Sequence, residues 1–167
     1  MNTGNLASRY ARAFGTYVKE LGRGEASLGQ AIAIVHFMRE HKLLERALDG
    51  VKGLDIPDKV RFLETALGKP LEKSIERLLG LMHLNQRESL FMLTLEIFIK
   101  NHLNENGMLL GDLISSSSAE DLSPVKSALS EVVMKKWGKK LIIRENADPD
   151  IIGGYILNLK GKVLDQV

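Results

Sequence analysis

Apolar residues recur at helical spacing almost without interruption from Leu6 to about Asn104, and beyond Asn106-Gly107 the period changes to that of short strands flanking one helix. No single sheet or single bundle satisfies both patterns. A chain written this way must place a helical bundle first and a small mixed unit after it.

In the first part Leu6, Tyr10, Ala13, Phe14, Tyr17 and Leu21 fall on one helical stripe, and Gly22 and Gly24 end it. Leu28, Ala31, Ile32, Val35 and Met38 make a second stripe, and a short third helix around Leu43, Leu44, Ala47 and Leu48 stops at Gly50. Ile56-Pro57-Asp58 places proline in a first helical turn, and Val60, Leu63, Ala66 and Leu67 carry that helix to Gly68. Pro70 opens the next one, with Leu71, Ile75, Leu78, Leu79 and Met82 as its face. After Asn85-Gln86 a longer helix runs from about Glu88 to Leu103 on Leu90, Leu93, Leu95, Ile97 and Phe98. Six helices with short connections imply a compact bundle.

In the second part Leu109 to Ile114 reads as a strand and Ser115 to Ser118 as a polar loop. Ser123-Pro124 supplies an N-cap and a first-turn proline for a helix to Trp137 with Val125, Ala128, Leu129, Val132 and Val133 inward, stopped by Gly138. Leu141-Ile142-Ile143 is a strand, Asn146 to Asp150 a turn, and Tyr155 to Lys160 a further strand turned by Gly161 into Val163-Leu164-Asp165. The helical crossover favours a parallel pair and the tight turn an antiparallel hairpin. The expected fold class is therefore α+β: an N-terminal six-helix bundle over residues 1–105, then a small mixed α/β domain over 106–167, strand-helix-strand plus hairpin.

Composition narrows the function classes. The chain has 167 residues, 44% of them hydrophobic, and no cysteine, which excludes a disulfide framework, zinc-thiolate sites and a cysteine nucleophile and fits a reducing compartment. No apolar run approaches the roughly 20 residues that cross a bilayer, and the first ten residues lack a signal pattern. Net charge is +2. Neither half is strongly basic, which argues against nucleic acid as a partner.

Searches for chemistry return structural readings. Gly22-Arg23-Gly24 follows a helix and lacks the third glycine of a dinucleotide fingerprint. Gly153-Gly154 runs into a strand pattern, with no helix N-terminus to hold a phosphate, and reads as a structural turn together with Gly161, through a bulge or a close backbone approach. His36, His41, His83 and His102 contain no i, i+4 pair, so no metal site is expected. Glu120-Asp121 and Asp148 with Asp150 fit caps and turns better than acid–base work, and no GxSxG elbow occurs. Lys135, Lys136, Trp137, Lys139 and Lys140 are the one cluster with the composition to track a nucleic-acid backbone, giving a helical nucleic-acid-binding regulator as the alternative function; lysines at a helix C-terminus explain it more simply. A small-molecule enzyme has no constellation to carry it.

Two stretches carry a family resemblance. "NLASRYARAF" at 5–14, with Tyr10-Ala11 and Ala13, and "DPDIIGGYILNLKGKVLD" at 148–165, with Asp148-Pro149, Ile152-Gly153-Gly154 and Val163-Leu164-Asp165, resemble the two ends of the delta subunit of bacterial rotary ATP synthase, the oligomycin-sensitivity-conferring protein of mitochondria. The match covers nearly the whole chain, although family members usually continue past the position of Val167 into a serine and a Leu-rich helix.

The resemblance implies a non-catalytic stator subunit of the peripheral stalk, without cofactor or metal. Its N-terminal bundle would take the N-terminal helices of the alpha subunits, and its C-terminal domain would grip stalk subunit b. It would lie at the cytoplasmic face of a bacterial inner membrane, held there only through the complex and without nucleic acid. Helix-in-groove recognition needs apolar surface between bundle helices. Tyr10 and Phe14 on the first helix and Leu79 and Met82 on the fifth are the groove candidates, with core packing as the alternative role of each.

Overall fold

The computed structural model describes residues 2–42, 54–116 and 121–159, with the backbone alone of 162–166. The chain divides into two compact units, Met1–His102 and Leu103–Val167.

The first unit begins with α1 (Thr3–Glu20), whose N-cap Asn2 accepts a hydrogen bond from the Gly4 amide at 2.9 Å. It ends in a Schellman motif, with Gly22 N–H donating to Lys19 O and Arg23 N–H to Val18 O; Gly22 sits at φ 67°, the left-handed region that favours glycine. The core-facing stripe of α1 is Ala7, Ala11, Phe14 and Val18. That differs from the stripe expected from the sequence, of which only Phe14 is buried; Leu21 is 51% exposed. Small alanines let the helix backbone approach its neighbours closely, so the aromatic stripe is left on a different face.

Helix α2 (Gly24–Glu40) buries Leu28, Ala31, Ile32, Val35 and Met38 as its spacing predicts, together with Ser27, Gln30 and Ile34. The expected helix around Leu43 to Leu48 lies outside the described residues. Helix α3 (Ile56–Leu67) is capped by the Asp55 carboxylate, which accepts from Asp58 N–H at 3.0 Å, and Gly68 closes it at φ 71°. Leu63 is buried, and so, unexpectedly for a lysine, is Lys59. Arg61 holds the Asp58 carboxyl below its ordinary range through a hydrogen bond, with Asp55 adding to the effect.

Helix α4 (Lys73–Leu84) starts later than Pro70. Side chains from two other helices pin the intervening backbone in a non-helical path. The Gln30 amide nitrogen donates to Pro70 O at 2.8 Å, its oxygen accepts from Glu72 N–H at 2.7 Å, and Glu64 accepts from Leu71 N–H at 2.8 Å. Arg23 forks onto both oxygens of Glu72 at 2.8 Å, and this partner raises the guanidinium's proton affinity, chiefly through the hydrogen bond. Ser27 and Ser74 share a buried hydrogen bond of 2.7 Å. Replacing Gln30 with alanine leaves two backbone groups without their partners, and we expect a loss of about 2 kcal/mol. A urea denaturation midpoint indistinguishable from the parent's would contradict this.

Gln86, at φ 55°, reverses the chain into a short 3-10 turn at Glu88–Leu90 and then α5 (Phe91–Glu105). Its buried face is Phe91, Met92, Thr94, Leu95, Phe98, Ile99 and Leu103, whereas Leu93, expected inside, is 37% exposed.

The second unit is built on β1 (Met108–Ser115), α6 (Ser123–Trp137), β2 (Lys140–Ala147), β3 (Tyr155–Leu159) and β4 (Lys162–Gln166), with sheet order β2-β1-β3-β4. As the crossover implies, β1 and β2 are parallel, with Leu109 opposite Leu141, and β3 and β4 are antiparallel. Helix α6 covers one sheet face through Leu129 and Val133, joining Leu109, Leu113, Leu122, Leu141, Leu157 and Leu159 in one core. Ala128 and Val132, expected inside, are exposed. Directly opposite each other across the parallel pair, Arg144 and Asp112 form a bidentate bridge of 2.6 and 3.0 Å.

Three local expectations change. Ser123 is the first residue of α6 and not its N-cap, a position taken by Leu122 without a side-chain cap; the Asp121 carboxylate just before it accepts from Ser123 N–H at 3.0 Å, the main reason its pKa lies below the ordinary range. Ser115 is a buried strand residue and not loop. Strand β2 continues through Asn146 and Ala147, so the turn starts at Asp148, whose carboxylate accepts from Asp150 N–H.

Candidate functional site

The stripe that α1 does not spend on the core opens a groove. Tyr10, Ala13, Phe14 and Tyr17 face Ser74, Arg77, Leu78 and Leu81 of α4 across a cavity of about 410 Å³. The two helices run antiparallel, because Asn85 at the end of α4 donates to the Tyr10 hydroxyl at 3.0 Å while Tyr17 and Ser74 line the same cavity. Tyr17 lies seven positions after Tyr10, so the groove has the length of roughly two helical turns.

Its floor is rigid. Phe14 is 4% exposed and meets Phe98 edge to face, ring centroids 4.8 Å apart, and Leu78 is 5% exposed. Its walls are accessible: Leu81 is 49% exposed, Ala13 is exposed, and Tyr10 and Tyr17 are half-buried. Large apolar side chains held in water on a rigid base are the mark of an interaction surface.

Of the four groove candidates read from the sequence, Tyr10 and Phe14 line this groove. Leu79 and Met82 do not: both are fully buried in the core, and α4 presents Leu78 and Leu81 in their place. Arg77, Ala13 and Tyr17 were missed as groove residues, although Ala13 and Tyr17 share the aromatic stripe that points to them.

Gly153 and Gly154 form a turn through their backbone, at φ 78° and 72°. They lie before β3, and space around a Gly153 side chain is open, so conformational freedom and not close approach is what Gly153 supplies. Gly161 lies outside the described residues. The glycine that permits close approach is Gly111 on β1, where an added Cβ would come within 2.9 Å of both Leu157 and Leu159.

The basic cluster at the end of α6 has a structural explanation. Trp137 packs against the sheet core, Lys136 lies over its ring at 4.9 Å, and Gly138 ends the helix at φ 66°. A partly buried indole stacked by its own lysine is a poor platform for a base.

The histidines also have local roles. His36 pairs with Glu40, His83 with Glu88, and His41 stacks on Phe37. No group of three potential metal-ligating side chains converges among the described residues. No described helix is long and apolar enough to cross a membrane.

Comparison with known proteins follows the same line. Residues 6–167 match the family model described as ATP synthase delta (OSCP) subunit. The chain is 26% identical over 166 residues to ATP synthase subunit delta of Desulforudis audaxviator, covering 99% of this chain and 89% of that protein. It is 23% identical over 165 residues to the subunit of the same name in Parabacteroides distasonis, covering 99% and 90%. Among solved structures, a chain of the Toxoplasma gondii mitochondrial ATP synthase hexamer shares the fold at a TM-score of 0.57 and 15% identity, over 96% of this chain and 89% of that one.

Proposed function

The chain belongs to the ATP synthase delta (OSCP) subunit family, and we propose that it is a non-catalytic stator subunit of the peripheral stalk, coupling the catalytic head to the stalk so that the head does not turn with the rotor. Its first unit receives N-terminal helices of the alpha subunits. Its second unit holds stalk subunit b. The protein works at the cytoplasmic face of a bacterial inner membrane and is kept there by its partners.

The observation that carries this reading is the open groove between α1 and α4, whose apolar walls face solvent over a length that suits a two-turn helical contact. A stator must stay bound under torque. Several modest contacts in series achieve this, because a released contact reforms at high effective concentration while the others hold.

The reading is tested by calorimetry of the full chain with a synthetic peptide of the cognate alpha subunit's N-terminal helix. One-to-one binding that survives high salt is expected, because apolar burial dominates. Absence of binding to that peptide would remove the assignment. A nucleic-acid ligand would instead lose affinity by orders of magnitude over the same salt range.

A further inference from the structure

The groove has a chemical asymmetry that apolar burial does not explain. Arg77 lines it, is exposed, and makes no ion pair among the described residues. The nearby carboxylates are already engaged: Glu72 is forked by Arg23 at 2.8 Å, and Glu76 faces Lys73 at 3.5 Å. Arg9, one position before Tyr10, is a further exposed cation on the opposite helix without an ion pair among the described residues.

We infer that the groove selects an amphipathic helix bearing a carboxylate beside its apolar stripe, and that Arg77 is the residue that reads this carboxylate. This rests on the helix-in-groove reading above and adds the partner's charge pattern. A helix laid between α1 and α4 covers the guanidinium stem and removes water from part of its head. A desolvated cation without an acceptor is costly, whereas a guanidinium fork suits a carboxylate in two parallel hydrogen bonds. The same site therefore rejects helices with lysine or arginine at that position.

The test uses the full chain and two designed peptides with one leucine stripe, flanked by glutamates in one and by lysines in the other, titrated by calorimetry at low ionic strength. The glutamate peptide is expected to bind about tenfold tighter, with the preference lost in Arg77→Gln and inverted in Arg77→Glu. Arg61→Gln, which removes an exposed cation already paired with Asp58, is expected to leave the preference intact.

Equal binding, binding of neither peptide, or a preference that survives Arg77→Gln would overturn the inference. The cognate alpha peptide separates the two claims. If it fails to bind while the designed pair shows an Arg77-dependent preference, the inference stands and the natural occupant is another helix. If it binds wild type and Arg77→Glu equally, the occupant stands and the inference falls.

Discussion

Replacing Gly111 with valine is expected to destabilise the sheet unit strongly. Gly111 lies at the centre of the sheet, opposite Ile143 of β2 and Leu159 of β3. A Cβ there would meet Leu157 Cδ1 at 2.9 Å, Leu159 Cδ2 at 2.9 Å and Leu141 Cδ1 at 3.2 Å. Each of these is the tip of a flexible side chain, and one alone could swing aside. All three belong to the same buried core, however, with Leu157 fully enclosed, so movement of one tip displaces others.

Alanine sets the scale. Overpacking costs about 1–3 kcal/mol, against about 0.4–1 kcal/mol gained by restricting the unfolded chain, so Gly111→Ala loses roughly 1–2 kcal/mol. Valine adds two further methyl groups to the same space and is expected to cost 3 kcal/mol or more, a large share of a small domain's stability, commonly about 5–15 kcal/mol. Amide hydrogen exchange should speed up for residues beyond about 107 while that of the first unit stays as in the parent. A valine variant that melts like the parent would show that the core has slack at this position.

Gly111 also shows where sequence reading stops. Its flanking leucines identify a strand correctly, but the approach of Leu157 and Leu159 is created by pairing with a segment more than forty residues away. Gly153-Gly154 is conspicuous in the sequence as a glycine pair, and its left-handed backbone is a local property. Pro70 shows a second kind of limit. Proline is well suited to a first helical turn, yet Gln30 and Glu64 hold the backbone of 70–72 out of the helix through hydrogen bonds that no local preference reveals.

Helix α1 is the most informative case. Its large apolar residues have helical spacing, so the element was legible, but of that stripe only Phe14 is buried, while Tyr10 and Tyr17 line the groove and Ala7 and Ala11 sit in the core. Alanine carries little hydrophobic signal and much packing information. On α4 the assignment fails in the other direction: Leu78, Leu79, Leu81 and Met82 are all apolar, and only the packed structure separates the fully buried Leu79 and Met82 from the groove-lining Leu78 and Leu81. The family, in contrast, was legible from its two terminal motifs, because it rests on ordered residues and not on which face each one occupies.

That division between floor and wall governs the second large effect, the loss expected from Phe14→Ala. Phe14 is 4% exposed and packs edge to face on Phe98, so truncation leaves a cavity and removes an aromatic pair; about 3–5 kcal/mol of stability should go with it. Peptide binding will fall as well, but that loss cannot be read as a groove contact, because the floor and the fold fail together. Leu81→Ala supplies the separation. With 49% of its surface already in water, Leu81 contributes little to folding, about 1 kcal/mol or less, yet it stands in the groove wall. Denaturant melts and calorimetry on both variants should therefore move oppositely in proportion: Phe14→Ala large in stability, Leu81→Ala near the parent in stability but several-fold weaker for the alpha peptide. Parent-like peptide affinity in Leu81→Ala would place the bound helix elsewhere on the unit, whatever Phe14→Ala does.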